Sequence, residues 1–219
     1  MLRDKKKSGV EGNDPAQWNV LSLRQRFLKR TFDIVLAAAG ILISAPIIVA
    51  AFLVASIDTG NNGFFLQRRV GWRGRVFKTI KIRTMRNAPH IHTTVTASTD
   101  TRITTIGGFL RRTKIDELPQ LINVFLGHMS FVGPRPDVPG YADRLKGEDR
   151  VILSVRPGIT GPATIKYRDE ENLLAKQDDP QKFNDEVIFP DKVRLNVEYV
   201  KCYGFIKDLI YIRKTILER

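Results

Sequence analysis

Cysteine, histidine and acidic residues are the scarce types in this 219-residue chain. There are one cysteine, Cys202, and three histidines, so an internal disulfide and a cysteine-cluster metal site are both excluded. The folded part needs no oxidising compartment. His90 and His92 are spaced for one face of a strand, but no third ligand accompanies them and metal binding there is not expected. Acidic residues number 23 against 36 Lys and Arg, leaving a formal net charge of +13. A surface of that sign suits a polyanion, whether nucleic acid, anionic lipid or phosphorylated substrate. Charge does not choose among the three. At 42% hydrophobic residues the chain can bury the core of one domain with an appendage. There is no internal repeat.

What is abundant is concentrated in one place. Ile34 to Ile57 is a run of 24 residues without a charge, bounded by Asp33 and Asp58. As a helix it would reach about 36 Å, against about 30 Å of bilayer hydrocarbon. It lies behind a charged tail and an amphipathic stretch, too far into the chain for a signal sequence. Arg24, Arg26, Lys29 and Arg30 precede it, and Arg68, Arg69, Arg73 and Arg75 follow. A spanning helix carries an excess of Lys and Arg on one side, so equal loading suits two ends on one face. Ser44-Ala45-Pro46 sits near the middle, where proline removes a helical hydrogen bond and Ser44 can rebond to the loosened backbone. On these features a helical hairpin re-entering one leaflet and a Pro-kinked spanning helix both stay open.

Residues 1–16, with Lys5-Lys6-Lys7 and scattered Gly, Asn and Pro, have the composition of a disordered basic tail. Residues 17–30 place Trp18, Leu21, Phe27 and Leu28 among basic residues, as an amphipathic segment on an anionic membrane would. Phe64 to Val70 and Arg75 to Ile82 are β-rich runs around Gly71-Trp72-Arg73-Gly74, a hairpin pattern. Residues 87–104 have loop composition. Phe109 to Arg112 is helical in character, and a helix is expected to start at Asp116 as N-cap with Pro119 in its first turn. Residues 168–196 are charged and mostly helical, and Val197 to Leu217 has the spacing of an amphipathic helix.

Chemistry gathers around Asp116-Glu117. Arg111-Arg112 comes five residues earlier, and Gly133-Pro134-Arg135-Pro136 and Arg156-Pro157-Gly158 are rigid turns that each present an arginine. If these converge, the arginines suit phosphoryl oxygens, and a carboxylate could hold Mg²⁺ to screen a diphosphate from an anionic nucleophile. Carboxylates in a first helical turn otherwise serve only the helix dipole.

Five segments in order carry a specific resemblance: Lys29-Arg30-Thr31-Phe32-Asp33, Lys81-Ile82-Arg83-Thr84-Met85, the stretch from Leu110 to Val124 around Lys114-Ile115-Asp116-Glu117-Leu118-Pro119-Gln120, Met129-Ser130-Phe131-Val132-Gly133-Pro134-Arg135-Pro136, and Val155-Arg156-Pro157-Gly158-Ile159-Thr160-Gly161. Together they resemble the bacterial sugar transferase family, the monotopic phosphoglycosyl transferases that start glycan assembly on undecaprenyl phosphate. The resemblance implies a re-entrant membrane helix broken at Ser44 to Pro46 and an active site at the cytoplasmic face of the bacterial inner membrane. It implies Asp116 as nucleophile on the β-phosphorus of a UDP-sugar, with release of UMP and passage of the phosphosugar to the polyprenol phosphate. It further implies Mg²⁺ held at Glu117 and Asp116, and phosphate contacts from Arg111, Arg135 and Arg156. The chain departs from the family pattern at His128, where an acidic residue is common, and after Gly161, where Pro162-Ala163-Thr164-Ile165-Lys166-Tyr167 replaces the usual continuation. It lacks the multi-spanning N-terminal extension of larger relatives, as a minimal catalytic form would.

The expected fold is therefore α+β. A mostly helical catalytic domain with a small β-hairpin (59–196) follows a basic tail (1–16) and an interfacial segment with a re-entrant helix-break-helix (17–58), and precedes a C-terminal amphipathic interfacial helix (197–219). Expected partners are a UDP-sugar donor, undecaprenyl phosphate and an anionic phospholipid membrane; a homodimer is carried as a further expectation. No base-reading module is present, so no nucleic acid is expected. A non-catalytic nucleotide-sugar-binding subunit is the alternative class, and the intact Asp116-Glu117 pair argues against it.

Overall fold

The computed structural model describes residues 20–87 and 100–217. The expected basic tail, His90 and His92 lie outside those residues. Helix α1 spans Leu23–Thr59, 37 residues, or about 55 Å at 1.5 Å per residue. It begins before the apolar run because Ser22 and Gln25 form a capping box. Ser22 Oγ accepts from the Gln25 N–H at 3.3 Å, and Gln25 Oε1 accepts from the Ser22 N–H at 2.8 Å. This satisfies two donors that a helix start leaves open. Gly60 ends the helix in the left-handed region at φ 66°, a conformation glycine adopts without strain.

The expected break at Ser44 to Pro46 is not an interruption: helix runs through Pro46. Ser44 Oγ donates to Gly40 O at 2.6 Å, a bond one turn back that supports the backbone ahead of the proline. Lys29, Asp33, Ala37, Ser44, Ile48, Ala51, Ala55 and Thr59 form the buried stripe, repeating at helical spacing. Leu42, Ile43 and Ile57, on other faces, are 78%, 79% and 84% exposed. Both halves of α1 meet the same folded domain. Ala37 packs with Val124 and Met129, and Ala51 and Ala55 pack with Ile82 and Leu110.

The hairpin forms as expected. Strands β1 (Phe64–Val70) and β2 (Val76–Ile82) pair antiparallel with Phe64 opposite Ile82 and Val70 opposite Val76. Helices α2 (Thr105–Arg112) and α3 (Gln120–Phe125) follow. A second sheet pairs β3 (Ser130–Val132) in parallel with β4 (Gly158–Thr160). Two glycines make this pairing possible. A Cβ on Gly158 would lie 2.1 Å from Gly133 N, and one on Gly133 would lie 2.4 Å from Arg156 O. Any side chain there would force the two proline turns apart.

The chain then runs through α4 (Pro162–Lys166), α5 (Glu170–Leu174), α6 (Pro180–Phe183), α7 (Phe189–Lys201) and α8 (Phe205–Leu217). The expected single C-terminal helix from residue 197 is corrected. That boundary falls inside α7, and the chain turns at Cys202 to Gly204 before α8. The turn brings Asp208 back to α1, where Lys29 Nζ donates to Asp208 Oδ2 at 2.6 Å and to Val132 O at 2.8 Å. Tyr199 Oη donates to Asp208 Oδ1 at 2.7 Å. Lys29 and Asp208 are 7% and 2% exposed, and a lysine buried this deeply requires such pairing. The other side of α8 leaves Ile206, Ile216 and Leu217 exposed.

Candidate active site

The site is organised by a backbone turn. Lys114 adopts the left-handed region at φ 59°, which is costly for a residue with a Cβ. It throws Ile115–Glu117 into a tight 3₁₀ turn ahead of α3. Asp116 is therefore not the expected N-cap. Pro119 occupies that position, α3 starts at Gln120, and neither helical start has a side-chain cap. Relieved of capping, Asp116 is buried at 6% exposure. Its Oδ1 has no hydrogen-bond partner among the described residues, and neither does the buried Gln120 Nε2 one turn later.

Glu117 has the opposite surroundings. Arg135 Nη2 lies 2.5 Å and Lys81 Nζ 3.2 Å from its Oε1. Burial works to raise its pKa, yet Arg135 and Lys81 together hold it well below the usual carboxylate range. Burial raises Asp116 to about 6, with the Glu117 charge adding to the shift and Lys81 and Arg111 opposing it. Two consecutive carboxylates thus differ in basicity because only one is ion-paired.

Asn123 fixes α3 against β2 by accepting from Ile80 N–H at 2.9 Å and donating to Lys78 O at 2.8 Å. That contact sets the turn beside Lys81. Arg135 arrives from the loop after β3, where Pro134 O accepts from Gly158 N–H at 2.9 Å. Behind it, Arg69 donates to Pro136 O at 2.9 Å; burial, then the Arg135 charge, lowers its pKa to about 10. Asp137 is raised by burial to about 6, against the opposing charges of Lys192 and Arg69.

Of the residues expected from sequence, Asp116, Glu117 and Arg135 come together, and Arg111 is close enough to act on the Asp116 charge. Arg111 is itself held by Glu171 and by Thr84 Oγ1. Arg156 does not join them. Its charged neighbours are Arg30, Asp33 and Arg26 from α1, and its Nε donates to Gly127 O at 2.8 Å. Lys81 is the functional candidate that sequence reasoning passed over. Its signal was present, since it opens the Lys81-Ile82-Arg83-Thr84-Met85 segment.

Among the described residues no group of three or more His, Cys, Asp or Glu side chains is placed to hold a metal. Mg²⁺ needs fewer, taking one or two carboxylates plus substrate phosphates. The unpartnered Asp116 Oδ1 and Glu117 Oε2, whose contact is Arg135 at 3.5 Å, fit that smaller donor set.

Fold and site define a class: an α+β domain built on one helix long and apolar enough to cross a membrane, with a carboxylate pair in a cationic setting. The chain belongs to the bacterial sugar transferase family, whose sequence model matches residues 24–219. It is 36% identical over 203 residues to the UDP-glucose:undecaprenyl-phosphate glucose-1-phosphate transferase of Escherichia coli K12, covering 90% of this chain and 41% of that protein. Identity to the undecaprenyl-phosphate galactose phosphotransferase of Salmonella typhimurium is 34% over 215 residues, covering 91% and 42%. The exopolysaccharide production protein ExoY of Rhizobium meliloti is 30% identical over 204 residues, covering 86% and 83%. The chain thus spans less than half of the first two relatives and most of the third.

Proposed function

We propose that this chain transfers a sugar-1-phosphate from a UDP-sugar to undecaprenyl phosphate, releasing UMP, as the first membrane step of a bacterial polysaccharide or glycoconjugate. The observation that carries the reading is the contrast at Asp116-Glu117: one buried carboxylate oxygen without a partner beside a carboxylate ion-paired to Arg135 and Lys81. An unpartnered, basic carboxylate is the better nucleophile. Two of the relatives named above, those of Escherichia coli and Salmonella typhimurium, bear names of the same reaction type.

In the first half-reaction an Asp116 oxygen bonds to the β-phosphorus. The bond from that phosphorus to the bridging oxygen breaks, and UMP leaves with the electron pair. Arg135 and Arg111 hold phosphoryl oxygens and offset the charge that gathers on the leaving group. In the second, a phosphate oxygen of undecaprenyl phosphate bonds to the same phosphorus and Asp116 leaves as carboxylate. Mg²⁺, held by Asp116 and Glu117 together with substrate phosphates, would screen the repulsion between the anions.

The membrane part of the proposal is a helix that enters and leaves the cytoplasmic leaflet of the inner membrane, bent at Ser44 to Pro46. It is supported by both halves of α1 packing on one domain. An anionic phospholipid surface suits the net charge of +13 and the outward apolar residues of α8, and the homodimer stays part of the proposal as an expectation.

The test is UMP release from UDP-glucose, UDP-galactose and UDP-N-acetylgalactosamine without lipid acceptor. One equivalent per active site is expected with the right donor, and none in Asp116→Asn. Full release by that variant would sink the reading.

A further inference from the structure

Arg111 closes the last turn of α2, and the reaction proposed above gives its guanidinium a phosphoryl oxygen to hold. The fold gives it a carboxylate. Arg111 Nη2 donates to Glu171 Oε1, which lies 60 residues further along the chain on α5. Acidic residues in a first helical turn ordinarily serve the helix dipole. Glu171 does more, since it is ion-paired to a cation that acts on the Asp116 charge.

Of the cations around Asp116, Lys81 is paired with Glu117 and Arg111 with Glu171. The two carboxylates are held very differently. Glu117 is shared by Lys81 and Arg135, and its side chain is 14% exposed. Glu171 is paired with Arg111 alone among the described residues, and its side chain is 44% exposed. A carboxylate enclosed between two cations is costly to remove, whereas an ion pair open to water contributes little and exchanges readily. Both partners keep their places when the Arg111–Glu171 pair opens. Arg111 Nη1 is also held by Thr84 Oγ1 at 3.3 Å. Helix α5 is fastened independently, because Lys192 Nζ donates to both carboxylate oxygens of Glu170, at 2.7 and 2.6 Å, and Leu174 at its far end is 2% exposed. Release of Arg111 therefore needs only a rotation of the Glu171 side chain, with no movement of the helix.

We propose that Glu171 is a displaceable counter-ion: a phosphoryl group of the donor takes its place on Arg111, and the carboxylate turns out to solvent. Every donor then binds against this competing anion, so Glu171 weakens donor affinity without touching the reacting atoms. A phosphoryl group wins the exchange because it brings more negative charge and more acceptor oxygens than a carboxylate to the same guanidinium. The proposal rests on Arg111 as a phosphate contact of the reaction proposed above, and adds to that reaction a residue that opposes binding.

The test is UDP binding to the purified full chain in detergent with Mg²⁺, measured by isothermal titration calorimetry. Glu171→Gln is expected to bind UDP about threefold more tightly than the wild type. Asp178→Asn removes an exposed charge four residues past α5; it should match the wild type and so controls for the change in net charge. In an Arg111→Gln background, Glu171→Gln should change nothing. Equal UDP affinity in Glu171→Gln and the wild type overturns the proposal. Weaker binding overturns it too, by making Glu171 a residue that positions Arg111. So does a gain that persists without Arg111 or that Asp178→Asn reproduces. If Glu171→Gln fails to fold, Glu171→Ala decides. UMP release from UDP-sugar donors by the wild type separates the two readings. Release with UDP affinity unaltered in Glu171→Gln refutes the counter-ion alone, whereas a wild type that binds no UDP refutes the reaction and the counter-ion together.

Discussion

Arg135 lies 2.5 Å from Glu117, and Asp116, immediately before it in the chain, has no such partner among the described residues. The pairing matters for stability as well as for chemistry. Removing Arg135 leaves Glu117 with Lys81 as its remaining ion-pair partner among the described residues, in a largely buried site. Arg135→Met should therefore destabilise the fold by about 2–3 kcal/mol, seen as a lower melting temperature. UMP release should fall by at least about 100-fold in the variant that remains folded.

Asp116→Asn should behave in the opposite way. Burial disfavours the ionised form of Asp116, so a neutral amide there relieves the cost of enclosing a charge, which is larger than that of enclosing an amide. Thermal unfolding is expected at or above the wild-type temperature, with UMP release lost. A variant that is both inactive and clearly less stable would make Asp116 a structural residue.

Lys29 and Asp208 form the most deeply buried ion pair among the described residues. Lys29→Met should cost about 3–5 kcal/mol, because Asp208 is left charged and enclosed. Lys29→Met with Asp208→Leu should recover most of that loss. Denaturant unfolding of the single and double variants measures both.

Asp137 sets a pH dependence. Its pKa is raised by burial to about 6 from an ordinary 3.8, so the folded state binds more protons than the unfolded state between those values. Its contribution to stability is then highest below pH 4, declines as pH rises to about 6, and is level above. Asp137→Asn removes this decline. The stability difference between variant and wild type should shift in the variant's favour by on the order of 2 kcal/mol between pH 4 and pH 7. A constant difference would count against the assignment.

The orientation of α1 can be read by labelling. In a Cys202→Ser background, Arg24→Cys in the first turn of the helix and Asn61→Cys just beyond its end are exposed positions. Both should react with a membrane-impermeant maleimide from the cytoplasmic side. Reaction from opposite sides would establish a spanning helix instead.

The hairpin was legible because β-rich runs and a Gly-bounded turn act locally, and the carboxylate pair because its motif is contiguous. What was not legible depended on long-range contacts. Asp116 has the form of an N-cap in sequence, but the left-handed Lys114 and the absence of an amide proton on Pro119 move the helix start to Gln120. Lys81 on a strand looks like a solvent-facing charge until Glu117, 36 residues on, is brought to it. Arg156 was expected beside the carboxylates because the family resemblance implied a phosphate contact there. The parallel pairing of β3 with β4 does bring its turn and that of Arg135 together, yet the side chains serve different neighbourhoods. The end of α7 was missed because Val197 to Val200 continues the same helical spacing, and Gly204 was the cue.

The Lys29–Asp208 pair joins residues 179 positions apart, and this imposes an order of events during synthesis. When α1 emerges from the ribosome, the partner of its buried lysine has not yet been made. Until that partner exists the charge must stay hydrated, because a lysine enclosed without its counter-ion is costly. Only after α8 has been made can it close over Lys29. Within the described fold the helix made first is thus the last to be fastened, and a chain truncated before α8 would lack that latch.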